Sequence, residues 1–234
     1  MYQFSSRIRF SETDRSSRLD PASLLNYFQD CVTFHSQAVG LSHAALMERG
    51  MFWVLNAWNV VITRLPALCE EVTVITNPYD FKACFGKRNF RMETADGETL
   101  AVADSLWTLL SAESGAPVAC DPSDILRYGP GEAFDMDYAH RKVKIAGELV
   151  AEFEPVTVGR GMIDYNGHVN NVQYVRLALQ YLPELPQLHQ LRVEYRRAAL
   201  LGDVMQLQLY RDGERHVLSM TDTEGKLYAA VELR

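Results

Sequence analysis

Basic residues are in the minority here: 23 Lys and Arg stand against 30 Asp and Glu, a net charge of −7. General nucleic-acid binding needs a basic footprint, so that class is set aside. Long apolar runs are also missing, and no stretch reaches the ~20 residues that span a bilayer. The opening MYQFSSRIRF does not read as a secretory signal. Cysteine is sparse. Cys31, Cys69, Cys84 and Cys120 lie far apart with no CxxC spacing, which argues against a disulfide frame or a zinc site and predicts free thiols in a reducing compartment. A cytoplasmic location is the simplest expectation. No metal-ligand spacing, phosphate loop or dinucleotide fingerprint is present.

What remains is ordinary globular material, 47% hydrophobic and 23% charged. The 234 residues suffice for one large domain or two modest ones. Two local basic stretches, Arg141-Lys142-Val143-Lys144 and residues 192–197, read either as solvated surface or as a docking place for an acidic partner.

The most informative segment is Asp164-Tyr165-Asn166-Gly167-His168-Val169-Asn170-Asn171. A carboxylate, an amide and an imidazole alternate, so an extended backbone would point all three to one side. Gly167 suits a sharp turn with positive φ. Asn170 is a plausible N-cap for a helix over residues 172–181, before Pro183. A base, an orienting amide and helix N–H donors together are equipment for acyl transfer or hydrolysis.

The chain also repeats itself. Asp14, Arg18 and Asp20 precede a helix as Asp164, His168 and Asn170 do. Asp20 as cap, Pro21 at the first position and Gly40 beyond the end predict a helix over residues 21–39, with Leu24, Leu25, Phe28, Val32 and His35 on its buried face. Strands are expected over 53–63, 71–77, 85–94 and 100–111, and again over 191–196, 203–210, 216–222 and 227–233. Asp96-Gly97-Glu98 answers Glu224-Gly225-Lys226, and Glu71-Val72-Thr73-Val74 answers Asp203-Val204-Met205-Gln206. Each half reads as a long helix followed by an antiparallel meander, an α+β design in which a curved sheet covers the apolar face of a helix. The Pro-, Gly- and charge-rich segment from Asp121 to Lys142 reads as a linker.

An Asp-x-x-Gly-His-Val-Asn-Asn segment opening a helix resembles the hotdog-fold thioesterases. Two such halves in one chain resemble the acyl-acyl-carrier-protein (acyl-ACP) thioesterases of plants and bacteria. RFSETDRSSRLDPASLLNYFQDCVTFHS, NPYDFKACFGKRNFRM, DGETLAVADSLWTLL and VEYRRA carry the same likeness. The resemblance implies two tandem hotdog units with their sheets joined side by side. Residues 1–120 would form the N-terminal unit with the acyl-chain pocket, 121–142 the linker, and 143–234 the C-terminal unit with the catalytic motif. It implies hydrolysis of acyl-ACP to a free fatty acid, without a cofactor. Asp164, Asn166 and His168 match the family's catalytic Asp, Asn and His, whereas its further acidic position is Ala198 here.

The expected mechanism places the thioester carbonyl at the helix start, with backbone N–H groups around His168 and Val169 as oxyanion donors. Asp164 or His168 activates water, or Asp164 attacks directly. The plainer alternatives are a capping histidine and a turn-forming carboxylate. No imidazole stands in the first half, which predicts one active site per chain. Gln29, Phe28, Val32, Trp53, Leu55 and Trp58 are the substrate-binding candidates, with Leu25, Met51 and Phe52 beside them; core packing is the plainer role for the apolar ones, and solvent exposure for Gln29. The expected partner is an acidic acyl carrier protein, met by Arg141, Lys142, Lys144, Arg196 or Arg197. Pairing into a homodimer is left open. An acyl-CoA thioesterase and a non-catalytic acyl binder are the alternative functions.

Overall fold

The computed structural model describes residues 1–182 and 188–234; Pro183, expected just past a helix, lies outside them. The described chain is α+β, rich in strands and poor in helices. In order it forms β1 (Tyr2–Arg7), α1 (Pro21–Ala38), α2 (His43–Glu48), β2 (Met51–Ile62), β3 (Glu71–Lys82), β4 (Phe85–Thr94), β5 (Thr99–Ser111) and α3 (Pro122–Tyr128). Then come β6 (Glu148–Thr157), α4 (Asn171–Tyr181), β7 (Gln190–Tyr195), β8 (Val204–Asp212), β9 (Arg215–Thr221) and β10 (Leu227–Leu233). Two compact units result: residues 1–56 with 60–138, and residues 57–59 with 139–234.

Strand order is the same in both. In the first unit it runs β1-β3-β4-β5-β2, and in the second β6-β8-β9-β10-β7. The expected simple meander is therefore corrected. The strand after each helix lies beside the last strand, and a strand before each helix, β1 or β6, forms the outer edge. These edge strands escaped the sequence because they bury little: β1 alternates half-buried and exposed residues, and β6 is mostly exposed.

Capping chemistry sets both long helices. The Asp20 carboxylate accepts from the Ala22 and Ser23 N–H groups at 2.9 and 3.0 Å, and Pro21 follows at the first position. The buried face of α1 carries Leu24, Leu25, Phe28, Cys31, Val32 and His35, and Phe28 meets Phe90 with ring centroids 5.2 Å apart. Truncating Phe28 to Ala would cost about 3–5 kcal/mol in such a core. Asn170 caps α4 by accepting from the Val172 N–H at 2.9 Å, and Val172, Tyr174, Val175, Leu177 and Ala178 are buried.

The segment read as a linker is ordered by its own bonds. Asp121, Pro122 and Gly129 (φ 61°) bound α3, the same signature that marks α1. Asp124 takes a bidentate pair from Arg49 at 3.0 and 2.7 Å, and Tyr128 is buried with Leu41 and Leu46. Beyond it, residues 130–138 cross the face of the first sheet turned away from α1. Asn77 donates to the Glu132 carbonyl at 2.6 Å, and the Asn89 amide oxygen accepts from the Phe134 N–H (2.9 Å) and the Tyr138 hydroxyl (3.1 Å). Strand alternation puts Asn89 opposite Arg88 and Phe90, which face α1.

Residues 139–144 do the same on the second sheet. Arg192 donates to the carbonyls of His140 (2.6 Å) and Lys142 (3.1 Å), Arg215 donates to that of Lys144, and Glu194 accepts from the Val143 N–H at 2.9 Å. Val143 packs on Val217 and Ala230. Glu232, 3% exposed, lies between Arg192 at 3.0 Å and Arg215 at 2.7 Å. Arg192 is thus a structural clamp and not a solvated or docking residue.

Candidate active site

The motif residues meet in one tight turn. Ile163 and Val169 form an isolated antiparallel bridge, the Asp164 N–H donates to the His168 carbonyl at 2.8 Å, and the Gly167 N–H to the Asp164 carbonyl at 3.0 Å. Gly167 has φ 79°. The extended arrangement expected from alternation is corrected, because Asp164 folds the turn itself. Its Oδ1 accepts from the Asn166 N–H at 2.8 Å and, weakly, from the His168 N–H at 3.4 Å, while Oδ2 faces the Asn166 amide nitrogen at 3.4 Å. Asp164 and His168 are half-buried and Asn166 is exposed.

Two further bonds seat this turn. The Asn170 N–H donates to the Met162 carbonyl at 2.9 Å, and the Val169 N–H to the Ala199 carbonyl at 2.9 Å. The second bond corrects an expectation, since the Val169 N–H is occupied. The N–H donors on this side are that of His168, with its long bond, and that of Asn171 at the first position of α4.

The region after β7 supplies no obvious acid at the Ala198 position. Ala198 is exposed. Glu194 is buried and holds Val143 and Arg196 (3.1 Å). Asp222 pairs with Arg197 at 2.6 Å, and Arg197 stacks 4.3 Å over the Tyr228 ring. Asp203 accepts from the Leu200 N–H (2.9 Å) and the Tyr228 hydroxyl (3.0 Å). Of the other docking candidates, Arg141, Lys142 and Lys144 are exposed on the segment that crosses the sheet face away from α4.

The substrate-binding candidates divide. Phe28, Val32 and Leu55 are buried in the first unit, and Trp58 is buried at 3% exposure. Gln29 is half-buried, its carbonyl taking the Thr33 hydroxyl at 2.9 Å. Trp53 alone among them lines a small open cleft, with Leu46, Phe81, Leu109, Ile125 and Tyr128 as apolar walls and Cys120, Asp121 and Asp124 as polar ones. Sequence reasoning missed the walls that α3 supplies because that helix was hidden in a charge-rich segment; Asp121-Pro122 with Gly129 was the signal that could have found it. It also missed Arg88. This fully buried guanidinium bonds His35 Nδ1 at 2.7 Å, and burial together with Arg88 lowers His35 to about 3, so that imidazole stays neutral.

A family model described as the acyl-ACP thioesterase N-terminal domain matches residues 1–125, and the corresponding C-terminal domain matches 148–233. The chain is 25% identical over 222 residues to palmitoyl-acyl carrier protein thioesterase of Gossypium hirsutum, covering 85% of this chain and 52% of that one. It is likewise 25% identical over 219 residues to oleoyl-acyl carrier protein thioesterase 1 of Arabidopsis thaliana, covering 85% and 60%. The chain spans about half the length of the palmitoyl-acyl carrier protein thioesterases it matches. Its fold is shared with an acyl-ACP thioesterase from Bacteroides thetaiotaomicron (TM-score 0.89, 21% identity, 99% and 96% covered) and with the 12:0-ACP thioesterase of Umbellularia californica (0.84, 18%, 100% and 96%).

Proposed function

We propose, for a chain that belongs to the acyl-ACP thioesterase family, that it hydrolyses acyl-ACP to a free fatty acid and holo-ACP, ending fatty acid synthesis on that carrier. The observation that carries this reading is the turn that gathers Asp164, Asn166 and His168 at the head of α4. On this reading the two units are tandem hotdogs. The first holds the acyl chain, with Trp53 and its cleft the part of that pocket best supported, and the second does the chemistry.

The reaction forms a bond from a water oxygen to the thioester carbonyl carbon, breaks the C–S bond and delivers a proton to sulfur. Asp164 Oδ1 is committed to the turn, so Oδ2, held only by the long bond from the Asn166 amide, is the oxygen to take the proton or to attack. The His168 imidazole is the other base. The N–H groups of His168 and Asn171 would receive the developing oxyanion. With Ala198 in place of an acid, holding the water falls to Asp164, Asn166 and His168.

Asp164→Asn is the informative variant, since an amide oxygen can accept the same N–H groups and keep the turn. Fatty acid and thiol release from acyl-ACP should fall by about 10²–10⁴ with the melting temperature unchanged. Undiminished turnover would leave the carboxylate a turn-former and overturn the assignment. Faster hydrolysis of matched acyl-CoA would favour that substrate class instead. Tight acyl-ACP binding without release would favour the non-catalytic binder, the reading that Ala198 supports.

A further inference from the structure

The two units contain an internal control for what the fold needs. Bonds of the same kind recur at fixed offsets. The pair Leu19 N–H to Pro66 O and Cys69 N–H to Ile8 O answers the pair Val169 N–H to Ala199 O and Gly202 N–H to Val158 O. Thr63 and Arg64 donate to the Leu100 carbonyl as Arg196 and Arg197 donate to that of Tyr228. Three positions can therefore be equated without ambiguity: Leu24 with Tyr174, Ile62 with Tyr195, and Leu100 with Tyr228. All three in the first unit are aliphatic and buried, so the architecture closes without a hydroxyl at any of them.

In the second unit two of the hydroxyls bond backbone around the catalytic turn, and the third bonds a carboxylate that does. The Tyr174 oxygen accepts from the Ala199 N–H at 3.1 Å, and the Ala199 carbonyl holds Val169, next to His168. Tyr195 donates to the Asn171 carbonyl at 2.9 Å, in the first turn of α4. Tyr228 donates to Asp203, which fixes Leu200 beside Ala199. The Tyr174 and Tyr195 rings meet edge to face at 5.7 Å. Burial pushes the Tyr174 phenol up to about 12 and raises that of Tyr195 well above its ordinary value, so both stay protonated.

We propose that Tyr174 and Tyr195 are positioning residues for thioester hydrolysis, holding His168 and the first N–H groups of α4 where the reacting carbonyl needs them. This rests on the proposed function. Neither tyrosine need touch substrate, so their removal should lower kcat and spare KM. The test uses the full chain with acyl-ACP. Tyr174→Phe and Tyr195→Phe are each expected to lose about tenfold to a hundredfold in kcat, as small misplacements of reacting groups do, with KM within about twofold. Val217→Ala, in the cluster on the opposite sheet face, is the control: it should lower the melting temperature as much or more and leave kcat unchanged. Tyrosine variants with wild-type kcat, or with kcat lost only in step with folded protein, overturn the proposal while the enzyme assignment stands. A wild-type chain that releases no fatty acid from any acyl-ACP overturns both.

Discussion

The turn at Asp14–Arg18 and the turn at Asp164–His168 are built by the same bonds. Asp14 accepts from the N–H groups of Ser16 (2.8 Å) and Arg18 (3.2 Å), and Thr13 bridges Leu19, as Ile163 bridges Val169. They differ in what they present. Where the second has Asn166, Gly167, His168 and Asn171, the first has Ser16, Ser17, Arg18 and Pro21. Arg18 donates to the Leu65 carbonyl at 2.9 Å, and Pro21 has no N–H to offer. The carboxylate is thus shared and belongs to the shape of both turns, while the imidazole and the first helical N–H belong to one. Chemistry is to be sought in those unshared groups and in the second oxygen of Asp164.

The largest effect should come from erasing the difference at the base. His168→Arg copies the first turn into the second and should lower turnover by about 10²–10⁴; Asp14→Asn, the counterpart of Asp164→Asn, should leave turnover untouched. Equal losses in both would mean that the first turn also serves the reaction. The covered strand faces of the two units offer the next contrast. The second unit fastens its covering segment with ions, so Glu232→Gln takes the shared carboxylate from two arginines and should cost about 3–5 kcal/mol in chemical denaturation.

Backbone strain comes next. Ser17 (φ 60°) and Cys69 (φ 68°) occupy the left-handed region where the second copy has Gly167 and Gly202. Ser17→Gly should therefore stabilise the chain, and Gly167→Ser destabilise it, each by about 1 kcal/mol. Opposite signs in thermal melts would break the equivalence of the two turns.

The last contrast concerns pH. Under the first unit's covering segment, burial raises Asp104 to about 6, where it accepts from the Tyr79 hydroxyl at 2.9 Å. Its folded value lies above the unfolded one, about 3.9. The associated stability is therefore full below about pH 4 and is lost as pH rises through about 6. Wild type should lose stability relative to Asp104→Asn across that window, and parallel curves would refute the shift.

Much of this was legible in the chain. Asp20-Pro21 and Asn170 placed the two long helices because capping is local chemistry, and β4 was expected over its observed span. The edge strands were not legible, since they lack a buried face. The pairing of Glu71 with Asp203 was one residue off. Glu70 is the true counterpart: the Ala67 N–H bonds the Glu70 side chain as the Leu200 N–H bonds that of Asp203. Alternating apolar residues cannot fix such a register, whereas hydrogen bonds can. The occupation of the Val169 N–H was likewise hidden, because its acceptor, Ala199, comes from a distant part of the chain.

Pro21 has a consequence for descent. Copying the second turn's groups into the first half would require a new imidazole at Arg18, a new amide at Ser16 and an amide proton at Pro21. No one of these changes supplies the whole set, and replacing Pro21 would give up the residue that starts α1 after its Asp20 cap. The halves are in that sense ratcheted into separate careers, free to diverge further but not to trade places.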